Sequence, residues 1–365
     1  MASSPSHARA SWHVERATSL SEIWARIAVF SGPVGAWRLT GVCRAARDGA
    51  KEHLRSLPGL VVVYEVSKGL SSVWRLDLAS LQWESMSALV TAHFRHACCV
   101  VRGSVAVVGG GAYVGNSDTE VTMTASMEAL SSGEGAVFVS LPPLSYGGIY
   151  GEAAIAVEES DSAAGQVLLL GGSDSLSNSL STVQLVDPAT GVCTPQPHLL
   201  HPRMYPAAAR LPYGRVICAG GIGRVQSAEV WGPPGLGAQD AAWTWNALPA
   251  MSRARYGCSG CVMSDGRFAV LGGIAVPSRH GPTSSCEALT FGASTHWEPL
   301  PPMHDARTNL HTRRWPDASL SPGDRQTVVV DWMVEWPAHQ PKCTTRCWVG
   351  GCGFRVIYLT SVEWE

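Results

Sequence analysis

Apolar positions along the chain follow two regimes. Over residues 18–58 they recur at helical spacing. Leu20, Ile23, Trp24 and Ile27 sit at i, i+3, i+4 and i+7, and Leu39, Val42, Cys43 and Ala46 repeat that spacing. Ser19 with Glu22 makes a capping box ahead of the first run, and Gly32-Pro33 is expected to end it. Lys51 to Leu57 reads as a third short helix before Pro58. The spacing predicts a three-helix module over 18–58, preceded by a disordered N-terminus over 1–17.

From residue 60 the pattern changes to short β-branched runs bounded by glycine. The phrase "GSVAVVGG" begins at Gly103, "GQVLLLGG" at Gly165, "GRVICAGG" at Gly214 and "GRFAVLGG" at Gly266. Their double glycines, Gly109–Gly110, Gly171–Gly172, Gly220–Gly221 and Gly272–Gly273, recur at steps of 62, 49 and 52 residues. Other features repeat in phase. An arginine lies upstream at Arg95, Arg203, Arg255 and Arg307, behind proline-rich turns such as "LPAMSR" and "LPPMHDAR". Downstream a small residue precedes an acid or amide by two: Ser126, Thr182, Ser227 and Ser285. Trp245 and Trp297 follow about ten residues later, with Phe138 and Cys193 in the equivalent places.

Each feature has a physical reason. A short apolar run between glycines is a buried strand, and paired glycines let the backbone turn and approach a neighbouring sheet closely. The small-x-acid segment starts the next strand, and tryptophan fills the gap between stacked sheets. One unit of about 50 residues supplies four short strands, and radial repetition of such sheets makes a β-propeller. "LVVVYEVSKGLSSVWRLDLASLQW" from Leu60 resembles the last three strands of a unit. Gly350–Gly351 with "SVE" at Ser361 suggests a degenerate last one. The expected fold is all-β: a propeller of about six blades, the first and last degenerate. The repeats cover 60–312, and 313–365 is an atypical C-terminal segment.

The combination of double glycine, arginine, Ser-x-Glu and tryptophan resembles the kelch repeat. The helical stretch, with Leu20, Ile23 and Ile27 and then "LTGVCRAAR" from Leu39, resembles an F-box. Ser21 stands where that family usually has proline, and Ala46 where it often has tryptophan. The resemblance implies docking of a Skp-type linker and cullin through Leu20, Ile23, Ile27, Leu39, Val42, Cys43 and Arg44. It implies a non-catalytic substrate adaptor of a ubiquitin ligase, with a target protein held by the propeller loops. The candidate loop residues are His96, Tyr205, Tyr256 and Asn309 after the repeat arginines. Asn178, Arg224, Arg279 and His280 lie in the loops after the double glycines. Loops carry recognition because strands are spent on packing, and Arg and Tyr suit acidic or extended peptides.

Composition narrows the alternatives. Apolar residues make up 45% and charged ones 15%, so most of the chain can bury a core. A net charge of −2 predicts no general affinity for nucleic acid or anionic membrane. Eleven cysteines at irregular spacing read as reduced thiols, and no apolar run is of signal-peptide or membrane-span type. The expected location is cytoplasm or nucleus. Cys258-x-x-Cys261 and Cys98-Cys99 lie in strand-like runs and read as core, while Cys343, Cys347 and Cys352 with His339 admit a zinc knuckle. The pairs His93/His96 and His198/His201 are placed in connecting loops, so no metal and no cofactor is expected. Two rivals remain: an interaction scaffold unrelated to ubiquitin, whose helices cap the propeller, and an enzyme resembling the copper radical oxidases. The sequence carries no Gly-x-Ser-x-Gly, P-loop or His-Glu-x-x-His.

Overall fold

A computed structural model describes residues 21–56, 60–67, 70–80, 82–91, 96–101, 104–113, 121–131, 135–157, 165–232, 243–263, 265–276, 281–292, 294–303, 306, 308, 311–314, 327–330 and 356–359. Among these residues two helices precede an all-β body. Four consecutive antiparallel sheets of four strands each follow the chain in order. The second sheet is Ala97–Val101, Ser104–Val108, Met127–Leu130 and Phe138–Leu141. The third is Tyr150–Val157, Gln166–Ser173, Val183–Val186 and Cys193–Gln196. The fourth is Ala207–Arg210, Val216–Ala219, Ala228–Gly232 and Thr244–Leu248. The fifth is Ser259–Val262, Phe268–Leu271, Cys286–Thr290 and His296–Leu300. A three-stranded sheet precedes them (Leu60–Ser67, Leu70–Leu76, Trp83–Met86), as the run ending at Trp83 suggested.

The arrangement is propeller-like. The first strands of the second to fifth sheets, and then the strand His311–Arg314, neighbour one another in chain order. Backbone hydrogen bonds link them at equivalent points: the amide of Tyr205 donates to the Gly151 carbonyl at 2.6 Å, and that of Gly257 to the Tyr205 carbonyl at 3.0 Å. The Thr308 hydroxyl then donates to the Gly257 carbonyl at 3.1 Å. A separate apolar cluster fills each gap between neighbours. Val73, Val107 and Phe138 lie between the first and second sheets, and Val108, Ile149 and Leu169 between the second and third. Leu168, Cys218 and Trp245 follow between the third and fourth, and Ile217, Phe268 and Leu289 between the fourth and fifth.

The double glycines act as the pattern predicted. In all four pairs both residues adopt left-handed φ, from 61° to 67° for the first and 90° to 97° for the second. The second glycine's amide donates to the next sheet in three of them: Gly110 to Ile149 at 2.7 Å, Gly172 to Arg203 at 2.9 Å and Gly221 to Arg255 at 3.0 Å. A side chain on the first glycine would collide there, since a Cβ at Gly171 or Gly220 would lie 2.3 or 2.6 Å from the carbonyl of Arg203 or Arg255. Only glycine satisfies both conditions at once.

Two expectations need correction. The helical region holds two helices among the described residues, not three: α1 is Ser21–Leu39 and α2 is Arg44–Ser56. Gly32-Pro33 does not end α1. Proline costs the helix a hydrogen bond, but the turn beyond it is held by tertiary contacts. Ala36 is fully buried there, and the Trp37 indole donates to the Leu78 carbonyl of the first sheet at 2.6 Å. Val42 and Cys43 therefore belong to the turn between the helices. Cys43 sits just before α2, its thiol accepting from the Ala46 amide at 3.4 Å, and Lys51 continues α2 rather than starting a third helix.

The sixth sheet (His311–Arg314, Thr327–Val330, Val356–Leu359) takes its second strand from "TVVV", well before Gly350. Gly350 and Gly351 lie outside the described residues.

Candidate interaction surface

Arginine and Ser-x-Glu, noticed separately in the sequence, prove to be one device. Arg203 is fully buried and reaches into its own sheet. Its Nη1 donates to the carbonyls of Gly220 (2.7 Å) and Ser227 (3.1 Å), and its Nη2 to the Ser227 hydroxyl (3.0 Å) and the Glu229 carboxylate (2.5 Å). Glu229 also accepts the Leu200 amide at 2.5 Å. The fifth sheet repeats the plan. Arg255 bonds the carbonyls of Gly272 (2.9 Å) and Ser285 (2.8 Å) and Glu287 (3.0 Å), and Glu287 accepts the Ser252 amide at 2.8 Å. The tryptophans are equally regular: Trp245 donates to the Pro197 carbonyl at 2.8 Å and Trp297 to that of Pro249 at 2.7 Å, each 48 residues upstream. These signature residues are internal staples held by fixed partners, although the Arg255 Nε is left unpaired, and they position the loops.

Those loops gather at the end of the sheets where the double glycines lie. Tyr205 is half-buried with φ 57°, a left-handed conformation held by its backbone bonds to Gly151 and Gly257. Its ring centroid is 6.4 Å from that of Tyr150. The Tyr150 hydroxyl is 3.5 Å from that of Ser177, the other left-handed non-glycine residue (φ 63°) among those described. Asn178 is exposed, its amide group donating to Asp174 at 3.0 Å; those bonds hold the Asp174 carboxyl below its ordinary range. The neighbouring loop carries exposed Arg224 and touches this one, the Ser179 hydroxyl donating to the Ile222 carbonyl at 3.1 Å. Tyr256 and His96 are half-buried at the starts of their sheets. The structure thus brings Asn178, Tyr205 and Arg224 to one end of the third and fourth sheets, with Tyr150 and Ser177, which sequence reasoning missed. Arg279, His280 and Asn309 lie outside the described residues.

A second surface lies on the helices. Ile23, Ile27 and Phe30 are exposed (38%, 37% and 66%) at i, i+4 and i+7 of α1, and Val42 is 60% exposed in the following turn. Phe30 extends the stripe beyond the residues singled out from sequence. Cys43 and Arg44 are exposed beside it, Leu39 is half-buried, and Leu20 falls outside the described residues. Ala28, Ala46, Ala50 and Leu54 are buried instead, and the helices cross so closely that a Cβ on Gly49 would lie 2.1 Å from the Ser21 carbonyl.

Four of the thiols are held protonated by burial. Burial pushes Cys258 up to about 11 and Cys98, Cys218 and Cys261 up to about 12, so they stay protonated and pack as small apolar groups. Among the described residues no three His, Cys, Asp or Glu are grouped to hold a metal ion. Cys343, Cys347, Cys352, His339 and His93 lie outside them. No helix among the described residues is long and apolar enough to cross a membrane.

No family model and no curated protein matches the chain. Many solved structures do. One, described as the structure of YjhT, aligns with a TM-score of 0.55 at 11% identity, over 76% of this chain and 95% of that one. At that identity the likeness is one of fold.

Proposed function

We propose that the chain is a kelch-type propeller adaptor of a Skp–cullin–F-box-type ubiquitin ligase, with no bond chemistry of its own. The observation that carries this reading is the apolar stripe of Ile23, Ile27, Phe30 and Val42. Three large apolar side chains on α1 and one in the turn after it stand in water, and such a patch is spent on a partner. The Trp37–Leu78 bond fixes that face to the first sheet. A target held by the loops around Tyr205 would then sit at a set distance from the ligase. Catalysis would come by effective concentration, target lysines being held near a ubiquitin-loaded enzyme.

The test is a pull-down of a Skp-type linker and cullin by the full chain and by an Ile23→Asp, Val42→Asp double variant of unchanged circular dichroism. Capture by the parent and loss in the variant is the expected result. Absence of capture by a folded parent overturns it in favour of a scaffold propeller with a helical cap. That second reading is favoured by the contacts that seat the helices on the first sheet: the Trp37 bond, and Arg55, whose charge adds to the Ser80 and Ala79 hydrogen bonds that hold the Asp77 carboxyl below the ordinary range against its burial.

A further inference from the structure

The third sheet departs from its neighbours where they carry the buried arginine. The amide of Gly172 meets the Arg203 carbonyl and that of Gly221 meets the Arg255 carbonyl, and by the same bond that of Gly110 meets Ile149. Ile149 therefore occupies the arginine position of the third sheet. Its side-chain carbons would come within 2.9 Å of a Cβ on Gly172, as the Arg203 Cβ comes within 3.1 Å of one on Gly221. The stem of the arginine is thus replaced and its guanidinium is not.

The groups that would receive a guanidinium are still there. Glu229 pairs across the sheet with Cys218, and its counterpart Gln184 pairs with Leu169. Ser227 receives the Gly220 amide through its carbonyl, and its counterpart Thr182 receives that of Gly171. Glu152 lies opposite Gly171 in the same row, and Gln184 stands two residues on from Thr182 on the same face. Thr182 Oγ1, Gln184 Oε1 and both carboxylate oxygens of Glu152 are buried with no hydrogen-bond partner. Glu152 is only 7% exposed, and its Oε1 points at Gly109 of the second sheet, 2.6 Å from where a Cβ would stand. An unpaired buried carboxylate is costly, and beside two more unfilled acceptors it needs a donor with several N–H groups.

We propose that this vacated arginine socket is a binding site for a guanidinium cation from outside the fold, an arginine side chain or a free guanidino compound. A planar group with five N–H donors matches the unpaired oxygens of Glu152, Thr182 and Gln184, and its positive charge favours the ionised form of Glu152. The socket lies at the loop end of the sheet, on the face toward the second sheet and below the segment in which Ser173 bridges to Ser179. The site belongs to the propeller-like body and does not depend on the ubiquitin reading.

The experiment follows the thermal midpoint of the full chain at about pH 8 with guanidinium chloride, N-acetyl-arginine amide, or sodium or potassium chloride at equal ionic strength. Ligand at about ten times its Kd should raise the midpoint by roughly 2 °C. A rise with the arginine amide identifies a peptide arginine as an admissible source. A rise with guanidinium alone identifies a small guanidino compound. Glu152→Gln should remove the response. Ile149→Arg should fill the socket from within, raising the unliganded midpoint and likewise removing the response. No guanidinium-specific rise in a folded parent would mean that the socket holds only water, and an equal rise with sodium or potassium would mean a metal-ion site; either overturns the proposal.

Discussion

The third and fourth sheets share strand order, double-glycine geometry and inter-sheet bonding, yet one carries Arg203–Glu229 in its interior and the other Ile149–Gln184. The staple is therefore not what makes a sheet of this kind. The glycines and the apolar clusters set the geometry, and the ion pair is added where arginine and glutamate coincide. Where the arginine is missing, the same geometry leaves acceptors without donors.

The largest break in this comparison should come from Arg203→Met. It strands Glu229 and the Gly220 and Ser227 carbonyls in a buried site, at a cost of about 3–5 kcal/mol, whereas Ile149→Val in the third sheet should cost only about 0.5–1.5 kcal/mol. Denaturant unfolding of the two variants measures the contrast, and equal losses would show the buried pair to be dispensable. Next comes Gly220→Ala, which meets both a φ of 67° and the Arg255 carbonyl, so it should cost more than the roughly 1–3 kcal/mol of backbone strain alone. Gly135→Ala, with a φ of 71° and open space around it, should show the strain without the collision.

Glu152 gives a pH-dependent test. Burial raises its carboxyl well above 4.5, so the folded chain keeps a proton that the unfolded chain loses. Its contribution to stability is intact below pH 4.5 and declines as pH rises toward the folded value. Glu152→Gln should therefore gain on the parent by about 1.4 kcal/mol per pH unit through that interval, read from melting curves across pH. A gap that stays constant with pH would mean the carboxylate has found a partner. The smallest effect is expected from Trp297→Phe, which removes the 2.7 Å bond to the Pro249 carbonyl and keeps most of the ring packing, for about 0.5–1.5 kcal/mol.

Several of these features were legible in the sequence for a local reason. A left-handed glycine pair or a strand-length apolar run constrains residue type at its own position, so it recurs visibly each time the unit recurs. The arginine and the Ser-x-Glu acid were legible as positions but not as a pair, since 26 residues separate Arg203 from Glu229 and the pattern does not say which arginine meets which acid. Ile149 was overlooked because nothing local marks an isoleucine as standing in an arginine's place. Among the proposed loop residues, Asn178, Tyr205 and Arg224 share one end of the sheets, but the partners that would read them leave no trace in spacing.

By itself the sequence determined the all-β repeat, its step, its glycine turns and the helical start of the chain. These follow from backbone conformation and apolar periodicity, which act over a few residues. Tertiary structure alone decided that α1 continues through Pro33, that Arg203 and Arg255 are sealed inside their own sheets, and that Glu152, Thr182 and Gln184 carry unpartnered buried oxygens on one face of the third sheet. Those outcomes depend on which groups long-range packing brings together. Helix continuation, an ion pair or an unpaired buried acceptor is settled by the free energy of the neighbours' contacts, and those neighbours lie far away along the chain.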